Sequence, residues 1–214
     1  MISVFNMTGR FFWASMSDFI GRKNTYHCFF ILGIILYMSI PYFASSGGTT
    51  ALVGFYIATM IIFTMYGGGF ATIPAYLADM FGTLHVGGIH GRLLTAWSTA
   101  GVLGPFAITY LRNISKNNAI EDLVSKVDPA AFVEKFGAPV SELSDLVAAK
   151  SVTIAQLMDI VPAGTIDPTS SLYNTTMFCM AALLVIGFFA NLMVRPVNSR
   201  HHVAKTHPEA VPAE

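Results

Sequence analysis

Long apolar stretches separated by short polar turns dominate the hydrophobic pattern of the chain. Four stretches are apolar for about 20 residues or more, long enough to cross the hydrocarbon core of a bilayer. A fifth stretch is slightly shorter and begins at the first residue. The pattern therefore predicts five transmembrane helices, at Met1–Ser17, Thr25–Ala44, Ala51–Ala78, Leu93–Leu111 and Leu172–Val194.

The segment 112–170 between the last two predicted spans is more polar, and it is too long to be a bare linker. Asp128 followed by Pro129 is typical of a helix N-cap with proline at the first helical position. Thr153 and Gln156 have the spacing of a capping box. We therefore predict two to four short amphipathic helices in this segment.

Composition supports a membrane protein. The chain is 54% hydrophobic and 11% charged, and soluble domains carry roughly twice that share of charge. A soluble protein with an unusually apolar core is a weaker explanation, because core helices are usually shorter and keep a polar face. We predict an all-α, polytopic membrane helix bundle. The formal net charge of zero gives no reason to expect a nucleic-acid partner.

The distribution of charge predicts an orientation. The segment 112–170 holds five Lys or Arg residues against eight Asp or Glu residues. Basic residues concentrate in two short turns and in the tail, at Arg22, Lys23, Arg92, Arg195, Arg200 and Lys205. By the positive-inside rule, the turns and the tail are cytoplasmic and the acidic loop is external.

This orientation divides the chain into four regions. Residues 1–111 form four transmembrane helices with a cytoplasmic turn at 17–24, and residues 112–170 form the external loop. Residues 171–195 form the last transmembrane helix, and 196–214 form a cytoplasmic tail. The expected location is the cell membrane, either a plasma membrane or a bacterial inner membrane.

Arg10 is the charge that lies deepest in a predicted span. It shares one helix face with Ser3, Asn6, Trp13 and Ser17, at spacings of three and four residues. It lies eight residues before Asp18, about 12 Å along the helix axis. Arginine at the centre of a membrane helix costs roughly 2.5–3.5 kcal/mol. We expect Arg10 to face an internal cavity; the alternative is a structural pairing or a side chain that reaches back to the interface.

Three consecutive glycines, Gly67 to Gly69, interrupt the third predicted span between Tyr66 and Phe70, and Pro74 follows. Glycine and proline both weaken a helix. In a membrane, such positions allow close helix contact or bending. Tyr66 and Phe70 are four residues apart, so their rings share one helix face, either as a packing stripe or as the wall of a cavity.

The turn SDFIGRKN at 17–24 resembles the loop signature of the major facilitator superfamily. The matching residues are Asp18, Gly21, Arg22 and Lys23. Ala14 stands where that family usually has glycine, and Phe19 stands where it usually has a basic residue. The physical reasons for the pattern are a glycine that permits a tight turn, a basic pair and an acid that can accept hydrogen bonds. The alternative is a charged connector without a special role.

Further segments resemble the oxalate/formate antiporter family, over what would be its eighth to twelfth helices. They are Gly9-Arg10 with Trp13, Ser17-Asp18, Tyr76 to Gly82, Leu94 to Trp97, Ala100-Gly101, Gly104-Pro105, Pro162 to Pro168 and Leu172 to Asn174. The resemblance implies the C-terminal part of a transporter that moves small carboxylates by alternating access between two six-helix halves. It implies three partners: a small organic anion, the lipid bilayer and an N-terminal half.

The resemblance also assigns roles to individual residues. Arg10 would hold the substrate carboxylate in a bidentate pair, with Asn6 on the same face. Tyr66 and Phe70 would form aromatic walls of the cavity. Trp97 takes the place of a lysine that serves the oxalate exchanger as a second cation. A single cation suits a monocarboxylate better than a dianion.

Two other functions remain open from the sequence. One is a truncated membrane fragment that does not transport, and the other is a membrane enzyme with a polar site at Arg10. The predicted helices contain no cluster of His, Asp and Glu and no nucleophile beside a base. We therefore predict no catalytic residue and no cofactor. We predict no metal site either, because no rigid element would orient His201, His202 and His207 in the tail.

Overall fold

The computed structural model describes residues 1–198. Residues 199–214, which include Arg200, Lys205 and the three tail histidines, lie outside the described residues. Within 1–198 the chain is all-α, with no strand, which confirms the predicted membrane helix bundle. The α-helices are α1 (Ile2–Ile20), α2 (Arg22–Ser46), α3 (Gly48–Phe81), α4 (Val86–Val124), α5 (Pro129–Phe136), α6 (Leu143–Ala148), α7 (Ile154–Met158) and α8 (Asn174–Met193), with 3₁₀ turns at Val140–Glu142 and Pro168–Ser171.

Three helical segments in the described part are long and apolar enough to cross a membrane: Arg22–Ser46, Gly48–Phe81 and Pro168–Met193. They correspond to the second, third and fifth predicted spans. The first and fourth predicted spans form the long helices α1 and α4 but do not meet the same measure of apolar length. In α1 the reason is the polar residues Asn6, Arg10 and Asp18, which lower the mean hydropathy of a helix of 19 residues.

The fourth helix does not end near Leu111 as predicted. It continues to Val124, so the first 13 residues assigned to the loop are helical. Ile120, Leu123 and Val124 supply the reason, because their spacing of three and four places them on one helix face. That face is buried against the segment that follows, and tertiary packing stabilises helix beyond the apolar span.

Residues 112–173 form a compact unit at one end of the bundle, which we call the lobe. Its core contains Phe132, Val152 and Leu157, all fully buried, packed on the end of α4. Both predicted caps are confirmed. The Asp128 carboxylate accepts a hydrogen bond from the Ala130 amide at 2.9 Å, and Thr153 forms a capping box with Gln156. The lobe contains three short α-helices, as predicted.

Glycine residues set the distance between α1 and α3. A Cβ atom added to Gly9 would collide with the backbone of Thr64, and one added to Gly67 would collide with the backbone of Asn6. A Cβ atom on Gly68 would lie 2.5 Å from Cβ of Trp13. Of the two roles predicted for the glycine run, the structure therefore supports close helix contact, at Gly67 and Gly68.

The helices α1, α3 and α8 each pack against α2. One core cluster joins Trp13 of α1, Phe29 and Leu36 of α2, and Ala58 and Met65 of α3. α2 also packs against α8 on its other side. The lobe lies at one end of the bundle. We call the opposite end, which contains the turn between α1 and α2, the turn end.

Candidate functional site

The predicted polar face of α1 is divided between two environments. Trp13 is 7% exposed and Ser17 is 1% exposed, so both are packed inside the bundle, whereas Arg10 is exposed and Asn6 is half-buried. The Trp13 indole Nε1 donates to Thr64 Oγ1 at 3.2 Å, and Ser17 Oγ donates to the Ala14 carbonyl at 2.6 Å. Trp13 therefore links α1 to α3, Ser17 is bonded within α1, and neither side chain faces an open space.

Arg10 differs from the buried polar residues of α1 because its side chain is unpaired. Among the described residues, no hydrogen bond and no ion pair reaches its guanidinium group. It stands on a helix whose exposed neighbours, Met7 and Phe11, are apolar. A guanidinium group has five N–H donors and is always charged. This position therefore offers an open cationic donor beside exposed apolar side chains.

Three of the predicted substrate residues come together between α3 and α4. The rings of Tyr66 and Phe70 are 5.2 Å apart, and those of Phe70 and Trp97 are 5.4 Å apart, both in edge-to-face arrangements. They line a cleft of about 370 Å³, which we call the aromatic cleft. Its volume lies within the range of small-molecule sites, at the lower end. No Asp, Glu, Lys or Arg of the described chain lines it.

The structure does not bring Arg10 and Asn6 into the aromatic cleft. Gly67 and Gly68 face α1, whereas Tyr66 and Phe70 lie on another face of α3. Arg10 and the cleft are therefore two separate features of the described bundle.

Two residues of the aromatic cleft were missed by sequence reasoning. Tyr26 lines it from α2 and donates its hydroxyl to the Gly69 carbonyl at 2.7 Å. His90 lines it from α4, and its Nδ1 atom is sealed from solvent without a hydrogen-bond partner in the described part of the chain. The signal for His90 was its spacing: it lies seven residues, or two helical turns, before Trp97, so both are on one face of α4.

The signature turn is reduced to one residue, Gly21, between two helices. Its φ of 84° is in the region that favours glycine. Arg22 donates to the Ser17 hydroxyl and to the Asp18 carboxylate, and its Nε lies 3.8 Å from Oδ2 of Asp79 on α3. In the described chain, Asp18 therefore forms its ion pair with Arg22, four residues later.

Lys23 extends this network to the last helix. Its Nζ donates to the carbonyls of Leu192 and Val194, at 3.1 and 2.8 Å. These are carbonyl groups at the C-terminus of α8, where a cation is favourable. The basic pair of the signature turn therefore ties α2 to α1 and α3 through Arg22, and to α8 through Lys23.

Asn191 is a further residue whose contacts the sequence did not predict. Tyr76 donates its hydroxyl to Asn191 Oδ1 at 2.8 Å, and Asn191 Nδ2 donates to the Lys23 carbonyl at 3.2 Å. The side chain is buried. A buried amide in a membrane helix with partners on two other helices is typical of a polar contact that fixes helix packing.

The residues described contain no group of three or more His, Cys, Asp or Glu side chains placed to hold a metal ion. The candidate chemistry of this chain is therefore that of an open arginine, an aromatic cleft and a polar network at the turn end.

Comparison with known proteins yields one informative similarity. Over 102 residues, 48% of its length, the chain is 31% identical to the oxalate:formate antiporter of Oxalobacter formigenes. The match covers 23% of the antiporter, so the chain spans less than a quarter of that relative. No protein-family model and no solved structure matches the chain. The chain is thus a membrane helix bundle with a partial sequence similarity to an antiporter.

Proposed function

We propose that this chain is part of a secondary transporter of the major facilitator type, which carries a small organic anion across the membrane by alternating access. The bundle architecture and the similarity to an oxalate:formate antiporter support this proposal. The substrate is a monocarboxylate or a carboxylate of the oxalate and formate type. In this proposal the turn end and the C-terminal tail face the cytoplasm, as the distribution of basic residues suggests.

The observation that carries the proposal is the unpaired Arg10 side chain. Arg22, in contrast, has three partners around it, so its charge is already used within the protein. An arginine that remains unpaired on a membrane helix is expensive and usually functional. A carboxylate can accept two parallel hydrogen bonds from one guanidinium group, which makes it a suitable ligand.

The aromatic cleft supports a substrate with limited charge. Its rings offer apolar surface, and no charged side chain of the described residues lines it. A second negative charge placed there would lose its hydration without gaining a cation. The cleft therefore suits uncharged ligand surface, and Arg10, which does not line it, offers one cation, enough for a monocarboxylate.

Further helices are part of the proposal. Alternating access requires two helix bundles that move against each other around a central site. The network of Arg22 and Lys23 supports the idea that α1, α2, α3 and α8 move as one unit, because it links all four at the turn end. The N-terminal half of the transporter would then supply the opposite wall of the cavity.

Transport by the full-length transporter tests this proposal. The protein is reconstituted into vesicles loaded with unlabelled formate or oxalate, and uptake of the labelled anion is measured. Arg10→Gln should lower uptake at least about tenfold, the loss expected for a charge-assisted pair. Arg92→Gln is the matched control, since Arg92 is exposed at the start of α4 and outside both sites. Full uptake by the Arg10→Gln protein, at equal amounts in the membrane, would refute the proposal.

A further inference from the structure

Asn191 joins three helices at the turn end through a single side chain. It is 7% exposed. Its Oδ1 accepts from the Tyr76 hydroxyl of α3 at 2.8 Å, and its Nδ2 lies 3.2 Å from the Lys23 carbonyl and 3.2 Å from His27 Nδ1, both on α2. α8 is therefore fastened to two neighbours by one buried amide.

The partners of Asn191 determine which end of its amide points where. A backbone carbonyl can only accept, so the group facing Lys23 must be the NH₂ group. The Tyr76 hydroxyl on the other side then meets the amide oxygen. The NH₂ group also faces His27 Nδ1, and that nitrogen has to accept. Nδ1 can accept only when it carries no proton, that is, when the proton of the neutral ring is on Nε2.

We propose that His27 is a proton-sensitive contact that controls how firmly the end of α8 is held in the bundle. Protonation places an N–H group on Nδ1, directly opposite the N–H of Asn191. Two donors cannot share a hydrogen bond, so the His27–Asn191 contact is lost and the amide must turn or move away. The hydrogen bonds that then remain between α2 and the end of α8 are those of Lys23.

The groups around His27 are few and can be named. On α2, Lys23 lies one turn earlier, and its ammonium group is engaged with the carbonyls of Leu192 and Val194. On α3, the nearest titratable groups are the Tyr76 hydroxyl and, one turn later, Asp79, which is near Arg22. α8 contains no charged residue between 174 and 193, and its Phe188 ring contacts the His27 ring edge at 5.2 Å.

The His27–Asn191 contact is sensitive to protonation of the His27 ring. His27 is half-buried, so water can deliver a proton to the ring. Histidine is the side chain whose charge normally changes between pH 5 and pH 8. In the described residues, Lys23 is hydrogen-bonded to the carbonyls of Leu192 and Val194, and Asp79 lies near Arg22. Acidification on the turn-end side therefore loosens α8 without breaking the Arg22 network.

Hydrogen–deuterium exchange of the 214-residue chain in lipid nanodiscs tests this inference. Exchange of the peptide around 188–194 is compared at pH 8 and pH 5.5 after correction for the intrinsic rate. The expected result is exchange about two- to tenfold faster at the lower pH, the effect of losing one hydrogen bond. Equal corrected rates at the two pH values would overturn the inference.

Two variants separate His27 from the other histidines. His27→Asn places an amide oxygen, which accepts at every pH, close to the position of Nδ1, so the difference between pH 8 and pH 5.5 should vanish. His27→Phe removes the acceptor, so the peptide should exchange fast at both pH values. His85 and His90 remain in both variants. An acid effect that persists in His27→Asn would overturn the inference.

The ring itself gives an independent readout that does not depend on helix opening. In protein labelled with ¹⁵N at histidine, the signals missing from His27→Asn belong to His27. At pH 8 they should have the shifts of the tautomer with its proton on Nε2. The opposite tautomer would contradict the assignment of Nδ1 as acceptor, and with it the proposed contact.

Discussion

Gly9 of α1 lies directly against the backbone of Thr64 on α3, with no room for a Cβ atom between them. The adjacent residue, Arg10, is exposed and has no partner among the described residues. The two adjacent residues have different roles. Gly9 allows α1 to pack closely against α3, and Arg10 lies next to this contact with its side chain exposed. The position of the arginine is therefore fixed by close packing at the preceding residue.

The glycine run of α3 offers an internal comparison. Gly67→Ala should destabilise the protein by about 1–3 kcal/mol, because the new methyl group meets the backbone of Asn6 and forces the helices apart. Gly69→Ala is the matched control, since nothing lies within 4 Å of its added Cβ atom. Thermal unfolding of both variants in the same detergent checks the difference. Equal melting temperatures would contradict the proposed role of Gly67.

The network at Arg22 predicts a ranking of variants. Arg22→Gln removes the contacts to Ser17, Asp18 and Asp79 together and should cost about 1 kcal/mol. Asp18→Asn should cost less, because Arg22 keeps Ser17 and Asp79. Both effects should shrink in high salt, since the carboxylates are more than half exposed. Thermal unfolding at two salt concentrations measures this ranking, and a larger loss for Asp18→Asn would reverse it.

The core of the lobe should respond strongly to truncation of its central ring. Phe132 is fully buried, so Phe132→Ala should cost about 3–5 kcal/mol within the lobe. Val133→Ala changes the next residue, which is 45% exposed, and should have little effect. Limited proteolysis of the 214-residue protein, with the rate of cleavage within residues 112–173 as the readout, measures the stability of the lobe. Cleavage of the two variants at the same rate would show that Phe132 does not support the lobe core.

Asp167 gives the lobe an acid-sensitive turn. Hydrogen bonds from the Thr169 side chain and amide lower the pKa of its carboxyl group below the ordinary value. A lowered pKa means that the contribution to stability is complete above the pKa of an unstructured aspartate, about 4, and is lost as the pH falls through the folded value. The Thr169 amide resonance should therefore move only in acid. Asp167→Asn should remove this movement, and an unchanged titration in that variant would assign it to another group.

The sequence was informative wherever one local rule determined the outcome. Periodicity and length predicted the long helices, and the caps at Asp128 and Thr153 were identified from residue spacing alone. The glycine run was expected to allow close helix contact or bending, and the structure shows close contact at Gly67 and Gly68. The end of α4 was placed 13 residues too early, because the burial of Ile120 in the lobe depends on residues far along the chain.

Long-range contacts explain what could not be predicted. The polar face of α1 has a regular spacing in the sequence, yet Trp13 and Ser17 are buried while Arg10 is not, and the difference depends on which side of α1 meets α3. Asn191 lies 168 residues from Lys23, and no local pattern connects them. Such pairings arise only when α8 packs against α2.

Chemical modification of Arg10 tests the central claim most directly. Phenylglyoxal, which reacts with accessible guanidinium groups, is applied to the 214-residue chain in nanodiscs, and adducts at each arginine are quantified by mass spectrometry. We expect Arg10 to react and to be protected by increasing formate or oxalate but not by chloride, while exposed Arg92 reacts equally in all three salts. Modification of Arg10 at the same rate with and without carboxylate would contradict the claim that this arginine binds the transported anion.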